Sequence, residues 1–352
     1  MVNEEKHMKK VLFGTTMLVA AGAFAGAAVA ADPITLKLGG KQEQYFGGFA
    51  STKDGGREDG FGIDTDTEVY FSGSTTLDNG ITVGARIELE AEADNNVNAD
   101  KQWTTVSGAF GKIEAGQRSG VFDEFMVVAP TVGAVSQGDI QGLWLGKGND
   151  DPDVYTNLGQ SLDDDDAKVT YVTPQFYGFS AGVSYTPNVG SSLVAPTKKN
   201  RDLVQAALGY DAEFGDVGLK ASGALATQSN LWVYQGGVNL SYAGFTAGGA
   251  YTYIDDNSAS AAAGAMGNGQ GSVWSAGLAY AVGPYSVGFT YGQSAIDDGV
   301  DAAIYKVGGA YKMGPGIDLV GNVFYGENGI GASGDNASRE GVGAVTGIVL
   351  SF

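Results

Sequence analysis

No cysteine occurs anywhere in this chain, and histidine occurs once, at His7. The first absence excludes disulfide frameworks, thiolate metal sites and cysteine nucleophiles. The second leaves almost no material for histidine-based general base chemistry or histidine metal sites. Basic residues are also scarce: 20 Lys and Arg stand against 40 Asp and Glu, a formal charge of −20. A surface of that sign repels a phosphate backbone, so nucleic acid is not an expected partner. Proline is sparse, at 8 of 352 residues, and apart from the amino-terminal run no window is apolar enough to cross a membrane as a helix.

Glycine is what the chain has in excess, with 57 residues. Without a G-X-Y period this is not collagen, and each glycine in a helix interior costs roughly 1 kcal/mol, so a mainly helical protein is disfavoured. The 43% of hydrophobic residues excludes a disordered acidic polymer.

Targeting signals come before the fold. Met8-Lys9-Lys10 is a short basic start, and the apolar run Val11 to Ala30 closes on Ala28-Val29-Ala30. This is the pattern of a secretory signal peptide over residues 1–30 with an A-x-A cleavage site, and translation is expected to begin at Met8. His7 is then absent from the mature chain, and enzymatic catalysis by a histidine base goes with it. Residues 31–352 are read as a single domain of an exported protein.

That domain alternates in polarity nearly throughout. After Asn79-Gly80, Ile81, Val83, Ala85, Ile87 and Leu89 take one parity, and Thr82, Gly84, Arg86, Glu88 and Glu90 the other. Successive side chains of a strand point to opposite faces, so this segment has one oily and one ionic side. Alternation and turn residues together predict sixteen strands, near 34–49, 64–78, 80–93, 101–110, 112–119, 166–173, 178–187, 201–214, 217–228, 230–242, 245–255, 271–282, 285–294, 302–313, 316–327 and 341–352. Short connections alternate with long ones rich in Gly, Asp, Asn and Ser; the turn near Ser229 alone is short where a long loop is due. An antiparallel up-and-down meander of this rhythm is the sequence form of a transmembrane β-barrel.

Aromatic residues fit that reading. Phe110, Phe176, Tyr177, Phe179, Phe214, Tyr242, Phe245, Tyr280 and Tyr285 stand beside short turns. Tyr45, Phe46, Tyr70, Tyr185, Tyr251, Tyr253, Tyr291 and Tyr325 stand toward the other strand ends, as a second interfacial belt would require. The last strand alternates through Val342, Ala344, Thr346, Ile348 and Leu350 to an aromatic terminus, Phe352. A barrel must pair that strand with the first to leave no edge in lipid.

Two segments carry a resemblance. Phe110-Gly111-Lys112-Ile113-Glu114-Ala115-Gly116-Gln117-Arg118 is similar to the strand that leads into the constriction loop of the general diffusion porins of Gram-negative outer membranes. Lys168 to Phe179, with Thr173-Pro174-Gln175-Phe176, resembles the strand after that loop, and Phe352 matches the family's barrel-assembly terminus. Gln117-Arg118 reverses the family's usual order, Thr173 replaces a serine, and the loop lacks a P-E-F-G run. The resemblance implies an outer-membrane location, a third loop (about 120–165) folded into the lumen, and trimers in contact with outer-membrane lipid and lipopolysaccharide. The work implied is passive diffusion of ions and small hydrophilic solutes.

Candidate site residues follow from parity and from that loop. Asp123, Glu124 and Asp139 are the loop acids expected to face wall bases Arg86, Arg118, Lys37 and Lys41 across the bore. An arginine turned to lipid instead would cost ~2–4 kcal/mol near the midplane. Glu68, Glu88, Glu90 and Glu114 share lumen faces with few bases expected beside them, which predicts a preference for small cations. Phe122, Phe125-Met126-Val127-Val128, Ile140 and Leu143-Trp144-Leu145 are apolar pieces of the loop that need a surface to pack on. Acidic runs at 54–59, 94–100 and 163–166 offer oxygen ligands, but none has EF-hand spacing; no cofactor is expected beyond calcium held loosely there. Two other functions stay open: a channel specific for a sugar or an oxyanion, and an exported structural or adhesive β protein.

Overall fold

The structure is a computed structural model that describes residues 32–52, 60–91, 99–134, 165–189, 201–256, 270–296, 302–328 and 339–352. The expected signal peptide, residues 1–30, therefore lies outside the described residues. Sixteen antiparallel strands close into one barrel. They are β1 Lys37–Ser51, β2 Gly60–Thr76, β3 Thr82–Glu90, β4 Ala99–Gly108, β5 Gly111–Gln117, β6 Ala167–Val172, β7 Phe179–Asn188 and β8 Arg201–Phe214. There follow β9 Val217–Gln228, β10 Leu231–Tyr242, β11 Phe245–Asp256, β12 Gly271–Val282, β13 Tyr285–Ile296, β14 Ala302–Gly314, β15 Ile317–Asn328 and β16 Arg339–Ser351. All sixteen expected strands are present, with ends displaced by a few residues.

Closure is between the first and last strands, from Lys41 opposite Ser351 to Ser51 opposite Gly341. Phe352 extends the pairing: its N–H donates to Gly40 O (3.0 Å) and its carbonyl accepts from Gly40 N–H (2.8 Å). Every edge is thus paired, the condition for strands in hydrocarbon. The hairpin at Ser229-Asn230 is as short as expected, with Ser229 in the left-handed region at φ 56°.

The two faces of the wall differ as parity requires. Leu208, Leu240, Val287, Val307 and Val323 each stay about half exposed on one face of their strands. On the other face Gln205, Thr252, Ser275, Thr290 and Ser294 are buried. A contiguous exposed apolar band of this extent belongs in lipid rather than water. Rings border it: Phe245 packs on Tyr280 and Tyr285 on Tyr311 near the short turns, while Trp274, Tyr291, Tyr305 and Tyr325 touch in sequence toward the other end. Tyr45 and Tyr70, expected in the second belt, instead share inward parity with Lys41 and Glu68. Their place along the strand suited a belt, but parity decides which side a ring takes.

After β5 the chain turns into α1, Val121–Glu124, a single turn begun at Gly120, and continues to Ala134 along the wall. Val121 N–H donates to Ser184 Oγ on β7 and Phe122 N–H to Gln205 Oε1 on β8. Val127 N–H donates to Ser222 Oγ on β9, and Val127 O accepts from Gln235 Nε2 on β10; Asn239 Nδ2 donates to Val128 O. Ala129 N–H then meets Ser275 on β12, Pro130 O meets Thr290 on β13, and Val132 O meets Asn322 on β15. Five residues reach at most about 18 Å, yet β9 to β15 spans about 29 Å of wall at ~4.8 Å per strand. Only the concave side offers so short a path, so residues 120–134 run inside the barrel.

Their apolar side chains join the buried core of the wall. Val121 and Phe122 are buried with Leu203, Ala224, Ala226, Leu231, Val233 and Ile254, and Phe125 and Met126 pack against that cluster. The expectation that Phe122 and Phe125–Val128 need a surface is met by the inner wall itself. Ile140 and Leu143–Leu145 lie outside the described residues. Wall glycines make the room: a Cβ on Gly237 or Gly308 would overlap the carbonyl oxygens of Val127 and Val132, and one on Gly277 would lie 2.5 Å from Pro130 O.

Candidate functional site

The inner segment covers the wall from β7 to β15 and carries no charge between Phe125 and Ala134. The opposite wall, β1 to β5, is charged. Register fixes which residues share its inner face: Lys41 pairs with Glu68, Tyr70 with Glu88, Arg86 with Trp103, Glu88 with Lys101, and Thr105 with Glu114. Each strand contributes through the alternation that makes its other face apolar.

On this wall the charges interleave. Lys41 Nζ lies 2.7 Å from Asp66 and 2.8 Å from Glu68. Arg86 Nε lies 2.5 Å from Glu88 Oε1. Lys101 reaches Asp100 at 2.7 Å, Asp165 at 3.3 Å and Glu88 at 4.0 Å. Lys112 joins Glu114 (3.0 Å) and Glu124 (2.9 Å), and Arg118 joins the same two carboxylates. These pairs are half-buried, and Glu88 and Glu114 are buried. Their consequence is electrostatic: fixed charges of both signs line one side of the lumen.

Aromatic rings hold the two guanidiniums. Arg86 Cζ stands 4.4 Å from the Tyr70 centroid and 5.8 Å from that of Trp103, and Arg118 Cζ stands 5.3 Å from Trp103. Such contacts contribute ~0.5–2 kcal/mol each, more as water is excluded.

The site residues expected from sequence fall as follows. Arg86, Arg118, Lys41, Glu68, Glu88 and Glu114 are brought together on the charged wall. Glu90 faces Glu68 in register, and Lys37 is exposed at the start of β1 opposite Ser72. Glu124 reaches Arg118 and Lys112 directly instead of facing them across the bore. Asp123 is half-buried on α1, its carbonyl accepting from Met126 N–H at 3.1 Å. Asp139 lies outside the described residues. The scarcity of bases expected beside the acids is corrected: Glu68, Glu88 and Glu114 each have a cation within 4.0 Å. Lys101, which lies in a short strand after an acidic loop, is one that sequence reading missed.

Asp66, Tyr70 and Trp103 were missed as well. Parity would have found them, since each sits where a strand's ionic face continues. The acidic runs at 54–59 and 94–98, with 163–164, lie outside the described residues. Among the described residues no group of three or more carboxylates or histidines is placed to hold a metal ion.

Comparison with known proteins bears on this geometry. The sequence model of a family described as Gram-negative porin matches residues 14–331. No curated protein matches the chain in sequence. An anion-selective porin from Comamonas acidovorans superposes with a TM-score of 0.62 at 16% identity, covering 91% of this chain and 100% of that one. OmpT, an outer membrane protein of Vibrio cholerae in its trimer form, gives a TM-score of 0.62 at 14% identity over 91% and 100%. A triple mutant of the Rhodopseudomonas blastica porin gives 0.60 at 18% over 90% and 100%. At these identities the likeness to the solved structures is one of fold.

Proposed function

Because the chain belongs to the Gram-negative porin family, an outer-membrane family of channels rather than enzymes, we propose that it is a general diffusion pore that passes small cations more readily than anions. The observation that carries the reading is the charged inner wall of β1 to β5. There one base is repeatedly met by more than one carboxylate, as Lys41 is by Asp66 and Glu68, and Lys101 by Asp100, Asp165 and Glu88. A water-filled bore bounded by an excess of fixed negative charge raises the local concentration of cations. The sign has to be argued from these side chains, since an anion-selective porin shares the fold.

Small hydrophilic solutes follow the same aqueous path, and the exposed apolar band is in contact with outer-membrane lipid and lipopolysaccharide. Three copies associate through the sector β1 to β5. The outward positions there carry polar groups that hydrocarbon disfavours: Gln102 Nε2 donates to Gln117 Oε1 (2.7 Å), and Thr65 Oγ1 to Gln44 Oε1 (2.9 Å). No tyrosine or tryptophan stands on the outward positions of β1 to β5, whereas β10 to β15 carry both belts. A sector without interfacial anchors fits a protein neighbour better than lipid.

The test is the zero-current potential of the purified protein in a planar bilayer under a KCl gradient. A potential of the sign set by potassium permeation is expected; the chloride sign would overturn the cation preference. Saturable block of the current by one sugar or one oxyanion would replace general diffusion with a specific channel.

A further inference from the structure

Trp103 has no charge of its own, yet it stands at the centre of the charged wall. Register places it opposite Arg86 on β3 and opposite Gly116 on β5. Its ring lies within 6 Å of both guanidiniums, and Tyr70 covers Arg86 at 4.4 Å. Tyr70, Arg86, Trp103 and Arg118 therefore form one row across β2, β3 and β4 to the residue that follows β5. Gly116 lets β5 approach β4 closely here: its φ is 145°, and a Cβ there would overlap Gln102 O and lie 2.6 Å from Trp103 Cα.

An arginine on a strand has a long, flexible arm and folds onto the nearest carboxylate unless something else holds its plane. Each of these two is gripped twice. Arg86 has Glu88 at Nε and rings beside its Cζ; Arg118 has Glu114 and Glu124 at its Nη atoms and the indole beside its Cζ. Carboxylate alone would fix a distance, whereas carboxylate and ring together fix an orientation.

We infer that Trp103 is a positioning residue for ion selectivity: it holds the guanidiniums of Arg86 and Arg118 as fixed positive charges toward the water of the bore and so sets the ratio of cation to anion permeability. The assignment rests on the channel reading given above.

The experiment compares zero-current potentials under a KCl gradient for the wild type, Trp103→Leu, Trp103→Phe, Tyr70→Leu, the double variant Arg86→Gln with Arg118→Gln, and that double variant with Trp103→Leu added. Heat-modifiable migration serves as the folding control. Trp103→Leu is expected to raise the cation-to-anion permeability ratio about twofold, ~0.4 kcal/mol in relative barrier. Trp103→Phe keeps a ring and is expected to stay at the wild-type ratio. Tyr70→Leu leaves β4 and β5 untouched and is expected to shift the ratio the same way by less, which keeps the test decisive if Trp103→Leu fails to fold. Adding Trp103→Leu to the arginine double variant is expected to change nothing further. An unchanged ratio in Trp103→Leu, or an equal shift with and without the arginines, overturns the role of Trp103 while the charged wall stands. An arginine double variant with the wild-type ratio overturns the wall's part in selectivity, and this assignment with it.

Discussion

Glycine 237 shows how a single missing side chain serves the whole molecule. It lies on the inner face of β10, where the Val127 carbonyl comes so close that a Cβ would overlap it. Gly223, opposite Gly236 on the outward side of β9, has open space instead, with the nearest atom 3.9 Å from a Cβ. The two glycines give a matched pair of substitutions. Gly237→Val should push residues 126–128 off the wall at the usual cost of overpacking, ~1–3 kcal/mol. The single-channel current should then become noisy, with substates, while the far-ultraviolet circular dichroism stays that of a closed barrel. Gly223→Val adds only an apolar group facing lipid and should leave the current steady. Equal noise in both variants, measured in the same bilayer, would show that contact with the inner segment is not what Gly237 protects.

At the level of the element, the strands were legible in the sequence because two local signals agreed. Polarity alternated with period two, and turn residues fell where alternation stopped. Parity also gave the direction of Arg86, since Ile87 beside it had to face outward. Tyr45 and Tyr70 suit a belt by their place along the strand, but parity with Lys41 and Glu68 turns both rings inward. The pairing of Arg86 with Trp103 depends on β3–β4 register across a 91–98 connection, and no local pattern specifies that. The path of residues 120–134 was illegible for the same reason: apolar content showed that Phe122 and Val127 need a surface, but only the closed wall shows which.

Register also fixes the height of the lipid-facing band. On β12, β13 and β14 the outermost outward rings are six residues apart, as in Trp274 and Tyr280 or Tyr285 and Tyr291. Six residues span about 20 Å along a strand, or about 15 Å along the membrane normal at a tilt of ~40°. Rings so close together suit a thin bilayer, because each ångström of mismatch carries a modest cost. The urea-unfolded chain should accordingly insert faster into dilauroyl than into dioleoyl phosphatidylcholine vesicles, followed by heat-modifiable migration. Equal rates would mean that the ring rows do not define the span.

Across the whole molecule, the exterior divides into two sectors with different chemistry, and each requires a different neighbour. From β10 to β15 rings and aliphatic side chains face outward in two belts and a band, the dress of a surface in lipid. From β1 to β5 the outward side chains include Gln42, Gln44, Gln102, Thr104 and Gln117, and a hollow lined by Ala85–Ile87, Gln102–Thr104, Ala115–Gln117 and Ala167 opens there. Amides facing hydrocarbon would lack partners for the hydrogen bonds they can still make, so a second protein surface is the stable environment for them. If that surface is another copy, bulk placed in the hollow must separate copies without opening the barrel. Ala115→Trp should abolish the trimer band on mild-detergent electrophoresis while the monomer keeps its heat-modifiable shift. Ala247→Trp, at an equally exposed outward position on β11, should leave the trimer intact, because an added ring there meets only lipid. Loss of trimer in Ala247→Trp with its retention in Ala115→Trp would move the contact to the other sector. The glutamines of β4 and β5 would then have to be explained by lipid headgroups instead.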